Sequence, residues 1–138
     1  SEMCICDRIG AHVAGYPSWV IEIVAGIIEA DESPEDVVRR EAIEEAGCKV
    51  GELIPIADYL VSPGGTSETM VLFCGHMDLK SAGGIHGLKE EQEDIRVLVM
   101  PREEAARRLE AREIKNSMTI IALQWLGMHH AELQKRWA

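Results

Sequence analysis

Residues 26 to 48 read GIIEADESPEDVVRREAIEEAGC, a polar segment flanked by two glycines near its ends. After Gly26 the apolar pair Ile27 and Ile28 gives way to Glu29-Ala30-Asp31-Glu32-Ser33, which has no apolar period and reads as loop. The residues that follow carry full helix punctuation. Ser33 can cap, Pro34 suits the first helical position, Glu35 and Asp36 favour the positive end, and Gly47 can terminate the helix. The pattern predicts a helix over Pro34 to Ala46.

Upstream, Trp19 to Ala25 (WVIEIVA) is rich in bulky and β-branched residues and predicts a mostly buried strand interrupted only by Glu22. Downstream, Leu53 to Val61, Thr69 to Met77 and Ile95 to Met100 read as strands, separated by glycine-rich loops at Ser62 to Ser67 and Ser81 to Gly87. Pro101 opens a short helix through Leu109. Ser117 to Trp137 has amphipathic spacing at Met118, Ile121, Leu126 and Leu133 and forms the closing helix. Strands before, between and after helices, with short connections, indicate a mixed α/β fold. No repeat, low-complexity tract or linker divides the chain.

Size and charge narrow the function. The chain has 138 residues, 46% of them hydrophobic, enough for one domain with a real core. The longest apolar run falls short of the roughly 20 residues that a membrane span needs, and nothing at the start reads as a secretory signal. The expectation is a cytoplasmic protein with no membrane partner. With 24 acidic against 14 basic residues the net charge is -10, which repels phosphate backbones and argues against nucleic-acid binding. An acidic protein can still handle a phosphorylated substrate if its carboxylates first capture a divalent cation. Cys4, Cys6, Cys48 and Cys74 lack zinc-site spacing and are expected to be reduced, buried thiols.

On the predicted helix, Glu41, Glu44 and Glu45 fall within an arc of about 100°, with Val38 and Ala42 beside Glu45 on the buried edge. Like charges so spaced destabilise a helix by roughly 0.2 to 0.5 kcal/mol per pair, and partial burial adds to the cost. Arg40 lies off that arc and is better placed to pair with Asp36 one turn earlier. A hard divalent cation, Mg²⁺ or Mn²⁺, would neutralise the face with oxygen ligands. On spacing alone, a solvated acidic face is the commoner fate of such a cluster.

The order of residues from Gly26 to Cys48 follows G-x5-E-x7-R-E-U-x-E-E-x-G-U, with U apolar. This resembles the signature of Nudix hydrolases. The fixed positions are Gly26, Glu32, Arg40, Glu41, Glu44, Glu45 and Gly47, while the apolar slots hold Ala42 and Cys48. The resemblance implies a mixed β-sheet core sandwiched between helices, with the box as a loop-helix-loop. It assigns Glu41 and Glu45 to metal binding, together with the backbone carbonyl of Ala25. Glu44 assists them, and Glu32 with Arg40 braces the geometry. Gly26 lies against the substrate, and Gly47 is structural. Such enzymes hydrolyse nucleoside diphosphates linked to a further group, using Mg²⁺ or Mn²⁺ to stabilise pyrophosphate charge.

Beyond the box, Ser62-Pro63-Gly64-Gly65-Thr66-Ser67-Glu68 is similar to the ADP-ribose pyrophosphatase branch, as are Gly84-Ile85-His86-Gly87-Leu88 and Glu93-Asp94-Ile95-Arg96-Val97. That likeness implies cleavage of ADP-ribose to AMP and ribose 5-phosphate, with Glu93 as a further metal ligand and Glu91 as general base. It also implies that Arg8 binds the diphosphate and that Glu68 touches the sugar side, although Cys4-Ile5-Cys6-Asp7 is unlike the strand usual before that arginine. Family members carry an additional N-terminal sheet region that contributes to the adenine pocket and to dimerisation. The expectation here is a single Nudix domain over residues 1–138 without that region, acting as a homodimer. Rival readings are a hydrolase for GDP-mannose or UDP-glucose, and a module that binds a nucleotide sugar without cleaving it. His86, His129 and His130 are expected in surface or packing roles, and Trp125 and Trp137 as anchors of the last helix.

Overall fold

The computed structural model describes residues 2–78, 80, 84–86 and 95–138, with backbone alone for 2–7 and 86. Its elements run β1 (Glu2–Asp7), α1 (Ile9–Val13), β2 (Trp19–Glu22), α2 (Pro34–Ala46), β3 (Val50–Leu60), β4 (Thr69–Met77), β5 (Gly84–His86), β6 (Ile95–Val99), α3 (Arg102–Glu110) and α4 (Ser117–Arg136). Helix α2 has the bounds that its sequence punctuation predicts. Ser33 Oγ accepts from the Asp36 amide at 3.2 Å, while Asp36 Oδ2 accepts from the Ser33 amide at 3.2 Å, closing a reciprocal cap. At the other end Gly47 takes a left-handed φ of 67°, which turns the chain so that the Gly47 and Cys48 amides reach the carbonyls of Ile43 and Ala42.

The strands form two antiparallel groups: a four-stranded sheet in the order β2-β1-β6-β5 and a β3-β4 hairpin. Register in the hairpin shifts at Pro55, which has no amide to give the ladder. The glycine-rich stretch read as loop over Ser81 to Gly87 contains β5, held by pairing of Gly84, Ile85 and His86 with β6. Helix α1 buries no side chain, so it has no apolar face that the sequence could reveal.

Strand β2 ends at Glu22, three residues earlier than predicted, yet the alternation of the apolar run persists. Ile23 and Ala25 pack on the cluster of Leu72, Met118 and Ala122 between the hairpin and α4. Val24, between them, faces the cluster of Ala46, Cys48 and Val97 under α2. What stops is the ladder. The Ile23 amide donates to Thr119 Oγ1 at 3.2 Å and the Ala25 amide to Glu45 Oε2 at 3.2 Å. Side chains of α4 and α2 thus replace a neighbouring strand, which meets the rule that buried amides find acceptors.

A third cluster, Met100, Ala105, Ile114 and Leu123, seats α3 and α4 against Ile21 and Leu98 of the sheet. Met118 and Leu133 of α4 are buried, while Ile121 and Leu126 are half-buried. Trp137 anchors the end of this helix: Nε1 donates to Glu52 Oε2 at 2.7 Å and the ring stacks on His76. Trp125 stacks on His129 instead. Cys48 and Cys74 are free thiols, and burial pushes the Cys74 thiol up.

Candidate functional site

Three acidic side chains, Glu32, Glu41 and Glu44, converge on one arginine where α2 meets the loop before it. Arg40 donates Nε to Glu32 Oε1 at 2.9 Å, Nη2 to Glu32 Oε2 at 3.1 Å, and Nη1 to Glu41 Oε1 at 2.7 Å and Glu44 Oε2 at 3.2 Å. The expected pairing of Arg40 with Asp36 does not form. Asp36 is committed to the Ser33 cap, and Arg40 reaches back over the loop to Glu32 and forward one turn to Glu44. The paired hydrogen bonds from Arg40 hold the Glu32 carboxyl below its usual range, with help from the Glu29 amide, and Glu32 in turn raises the Arg40 guanidinium.

Two carboxylates lie against the backbone before the loop, Glu45 and the Arg40-bound Glu41. Glu45, only 2% exposed, accepts from the Ala25 amide at 3.2 Å. The Glu41 carboxyl lies so near Gly26 that a Cβ built there would overlap its Cγ, Cδ and Oε1, so only glycine leaves room. Ala25, Gly26, Glu41 and Glu45 therefore share one small space, and Arg40 forms one side of it.

That donor set fits a hard divalent ion: carboxylate oxygens beside a main-chain segment, with no thiolate or imidazole among them. Among the described residues, no three metal-capable side chains are already gathered into a cage. Glu91 and Glu93, the two acids expected to complete the site, lie outside the described residues.

The other expected residues stand apart in the chain. Arg8 follows β1 and forms an ion pair with Glu22 at 2.8 Å. Glu68 is exposed in the loop that joins β3 to β4, its amide held by Thr66 Oγ1 at 3.1 Å. That loop is closed by the Gly65 and Thr66 amides on the Ser62 carbonyl, and it walls an open cavity of about 510 Å³ with Leu60 and Pro63. A second cavity, about 310 Å³, is mostly apolar, walled by Val38, Ala42, Val71, Phe73 and Leu126, and has no lysine or arginine to offer a diphosphate.

Three polar residues escaped the sequence reading: Glu22, Asn116 and Thr119. Glu22 is 5% exposed, paired with Arg8 and with Asn116 Nδ2 at 2.9 Å. The signal was available, since Glu22 is the one charge inside the apolar run Trp19 to Ala25. Its partners, far away in sequence, were not readable.

The NUDIX domain family profile matches residues 2–126. The ADP-ribose pyrophosphatase of Escherichia coli strain K12 is 50% identical over 131 residues, covering 95% of this chain and 63% of that protein. The ADP-ribose pyrophosphatase of Haemophilus influenzae is 45% identical over 133 residues, covering 94% and 61%. A GDP-mannose pyrophosphatase of Escherichia coli strain UTI89 is 37% identical over 125 residues, covering 89% and 64%. The chain thus spans a little under two thirds of the length of these relatives.

Proposed function

The chain belongs to the NUDIX domain family, and on that premise we propose that it hydrolyses the pyrophosphate bond of ADP-ribose to AMP and ribose 5-phosphate with Mg²⁺ or Mn²⁺. The observation that carries this reading is that Glu45 accepts from the Ala25 amide and the Glu41 carboxyl lies against Gly26, with Arg40 holding Glu41, Glu44 and Glu32. Nudix hydrolases in general use divalent ions, and this arrangement presents hard oxygen donors beside a main-chain carbonyl. The relatives named ADP-ribose pyrophosphatase, at 45 to 50% identity, direct the choice of substrate.

In this reading Glu41, Glu45, Glu93 and the Ala25 carbonyl hold the cation. When bound, it supplies Lewis-acid charge at the diphosphate and makes the attacking water more acidic. Glu91 accepts a proton from that water as the new P–O bond forms and the bridging P–O bond breaks. Glu44 supports the ligands, and Arg40 with Glu32 keeps the helix and its loop in register. Gly26 leaves the space in which Glu41 sits, Gly47 ends the helix, Arg8 receives the anionic diphosphate, and Glu68 meets the sugar. Residues 1–138 act as one domain in a cytoplasmic homodimer. Among the described residues, no helix is long and apolar enough to cross a membrane.

The test is product analysis after incubation with ADP-ribose and Mg²⁺, with a chelator control. Release of AMP and ribose 5-phosphate only when metal is present supports the proposal. The GDP-mannose pyrophosphatase relative motivates a second reading, a related nucleoside diphosphate sugar such as GDP-mannose or UDP-glucose. Running these in the same panel ranks the substrates by kcat/KM. Binding of ADP-ribose with no cleavage of any sugar nucleotide would leave a non-catalytic module.

A further inference from the structure

A buried carboxylate is costly unless its oxygens are engaged, and Glu22 is engaged on both. Oε2 accepts from Arg8 Nε at 3.0 Å and lies 2.8 Å from Nη2, while Oε1 accepts from Asn116 Nδ2 at 2.9 Å. Asn116 is itself fixed. Its Oδ1 caps α4 by accepting from the Thr119 amide at 3.1 Å and Thr119 Oγ1 at 3.3 Å, which settles which end of the amide faces Glu22. Thr119 Oγ1 then accepts from the amide of Ile23, the residue after Glu22. Glu22, Asn116, Thr119 and Ile23 therefore close a ring of hydrogen bonds and main chain that holds the carboxylate from behind.

Arg8 lies on the open side of that ring. Its side chain is 43% exposed, on the wall of a cavity of about 450 Å³ that also includes Tyr16, Trp19 and Lys115. An arginine normally gives up rotamer freedom when it captures an anion, and one already held through Nε and Nη2 has given it up in advance. We propose that Glu22, braced by Asn116, is a positioning residue that pre-orients Arg8 for the diphosphate of the substrate, a role that rests on the function proposed above. Pre-orientation favours binding and leaves the chemical step alone, so its signature is in KM.

The test is a double-mutant cycle assayed with ADP-ribose and Mg²⁺. Glu22→Gln keeps the shape and removes the charge, and is expected to raise KM about tenfold while kcat stays within about twofold. Arg8→Gln should raise KM at least as much, and the double variant should be no worse than Arg8→Gln alone, because Glu22 acts only through Arg8. Glu22→Asp should recover part of the loss. Asn116→Ser retains a capping side chain for α4 but cannot reach Glu22, and should raise KM about threefold; it carries the test if Glu22→Gln fails to fold. Multiplying effects in the double variant, a change in kcat alone, or a lower melting temperature with KM unchanged would overturn the assignment. Titration calorimetry with ADP-ribose in chelator reads the same cycle as Kd, without turnover. A wild type that cleaves ADP-ribose but gives an additive cycle refutes the positioning role only; one that neither binds nor cleaves it refutes the function and this role together.

Discussion

Replacing Gly26 by alanine adds one methyl group where the Glu41 carboxyl now lies. The obstacle is the end of a side chain, so Glu41 gives way and the loop keeps its path. Turning Glu41 off its rotamer costs roughly 0.5 to 1.5 kcal/mol, and losing its hydrogen bond from Arg40 costs about 1 kcal/mol more. The sum, about 2 kcal/mol, lowers the melting temperature of a domain of this size by roughly 4 to 8 °C. Activity should fall much further. A carboxylate swung out of a shared metal and backbone site should reduce kcat/KM for ADP-ribose by roughly ten- to a hundredfold, the scale seen when groups supporting a metal ligand are lost. The assay pairs initial rates at saturating Mg²⁺ with a thermal melt of the same preparation. Unchanged kinetics would refute the reasoning, because the close approach of Glu41 would then have no catalytic purpose. A loss of activity matched by wholesale unfolding would refute it too, since the site would be part of the core and not a cradle for Glu41.

Glu45→Gln retains an acceptor for the Ala25 amide while removing the charge, so turnover should drop about a hundredfold or more with the melting temperature nearly unchanged, and a fully active variant would contradict the ligand assignment. Hydrogen bonds from Arg136 and then Trp137 bring the Glu52 carboxyl from its ordinary 4.5 down to about 2. The folded value lies below the unfolded one, so the stabilisation is complete above pH 4.5 and disappears as the pH falls towards 2. Glu52→Gln should therefore melt below the wild type at pH 7 and together with it near pH 2; a gap that is constant with pH would exclude the linkage. Thr119→Val strips the acceptor from the Ile23 amide at nearly constant volume and should cost about 1 to 3 kcal/mol, measured by urea unfolding. A variant as stable as the wild type would mean that this amide has found another partner.

Much of this architecture was legible because its signals are local. Ser33, Pro34 and Gly47 delimit α2 within a few residues of chain: Ser33 closes the reciprocal cap with Asp36, Pro34 opens the first turn and Gly47 ends the helix with a left-handed φ. The glutamate face of that helix followed from angular spacing alone. The arginine at its centre did not, since helical geometry pointed Arg40 towards Asp36, whereas the competing cap freed it for Glu32 across the loop. Strand β2 was read too long for a related reason. Alternating apolar residues report burial, and burial continues through Ala25, but a ladder needs a neighbouring strand, and here Thr119 and Glu45 take its place. The ring around Glu22 was out of reach because Asn116 and Thr119 lie 94 and 96 residues from their partners, and no local pattern encodes such a distance. The short β5 was obscured by its glycine, which usually marks a turn.

The unladdered segment Ile23–Ala25 has a practical corollary. Two of its backbone protons are each guarded by a single side chain from a different helix, one from α4 and one from α2. Deuterium uptake at those two positions would follow the undocking of each helix separately, giving built-in probes that distinguish loosening around the acidic face from loosening of the closing helix.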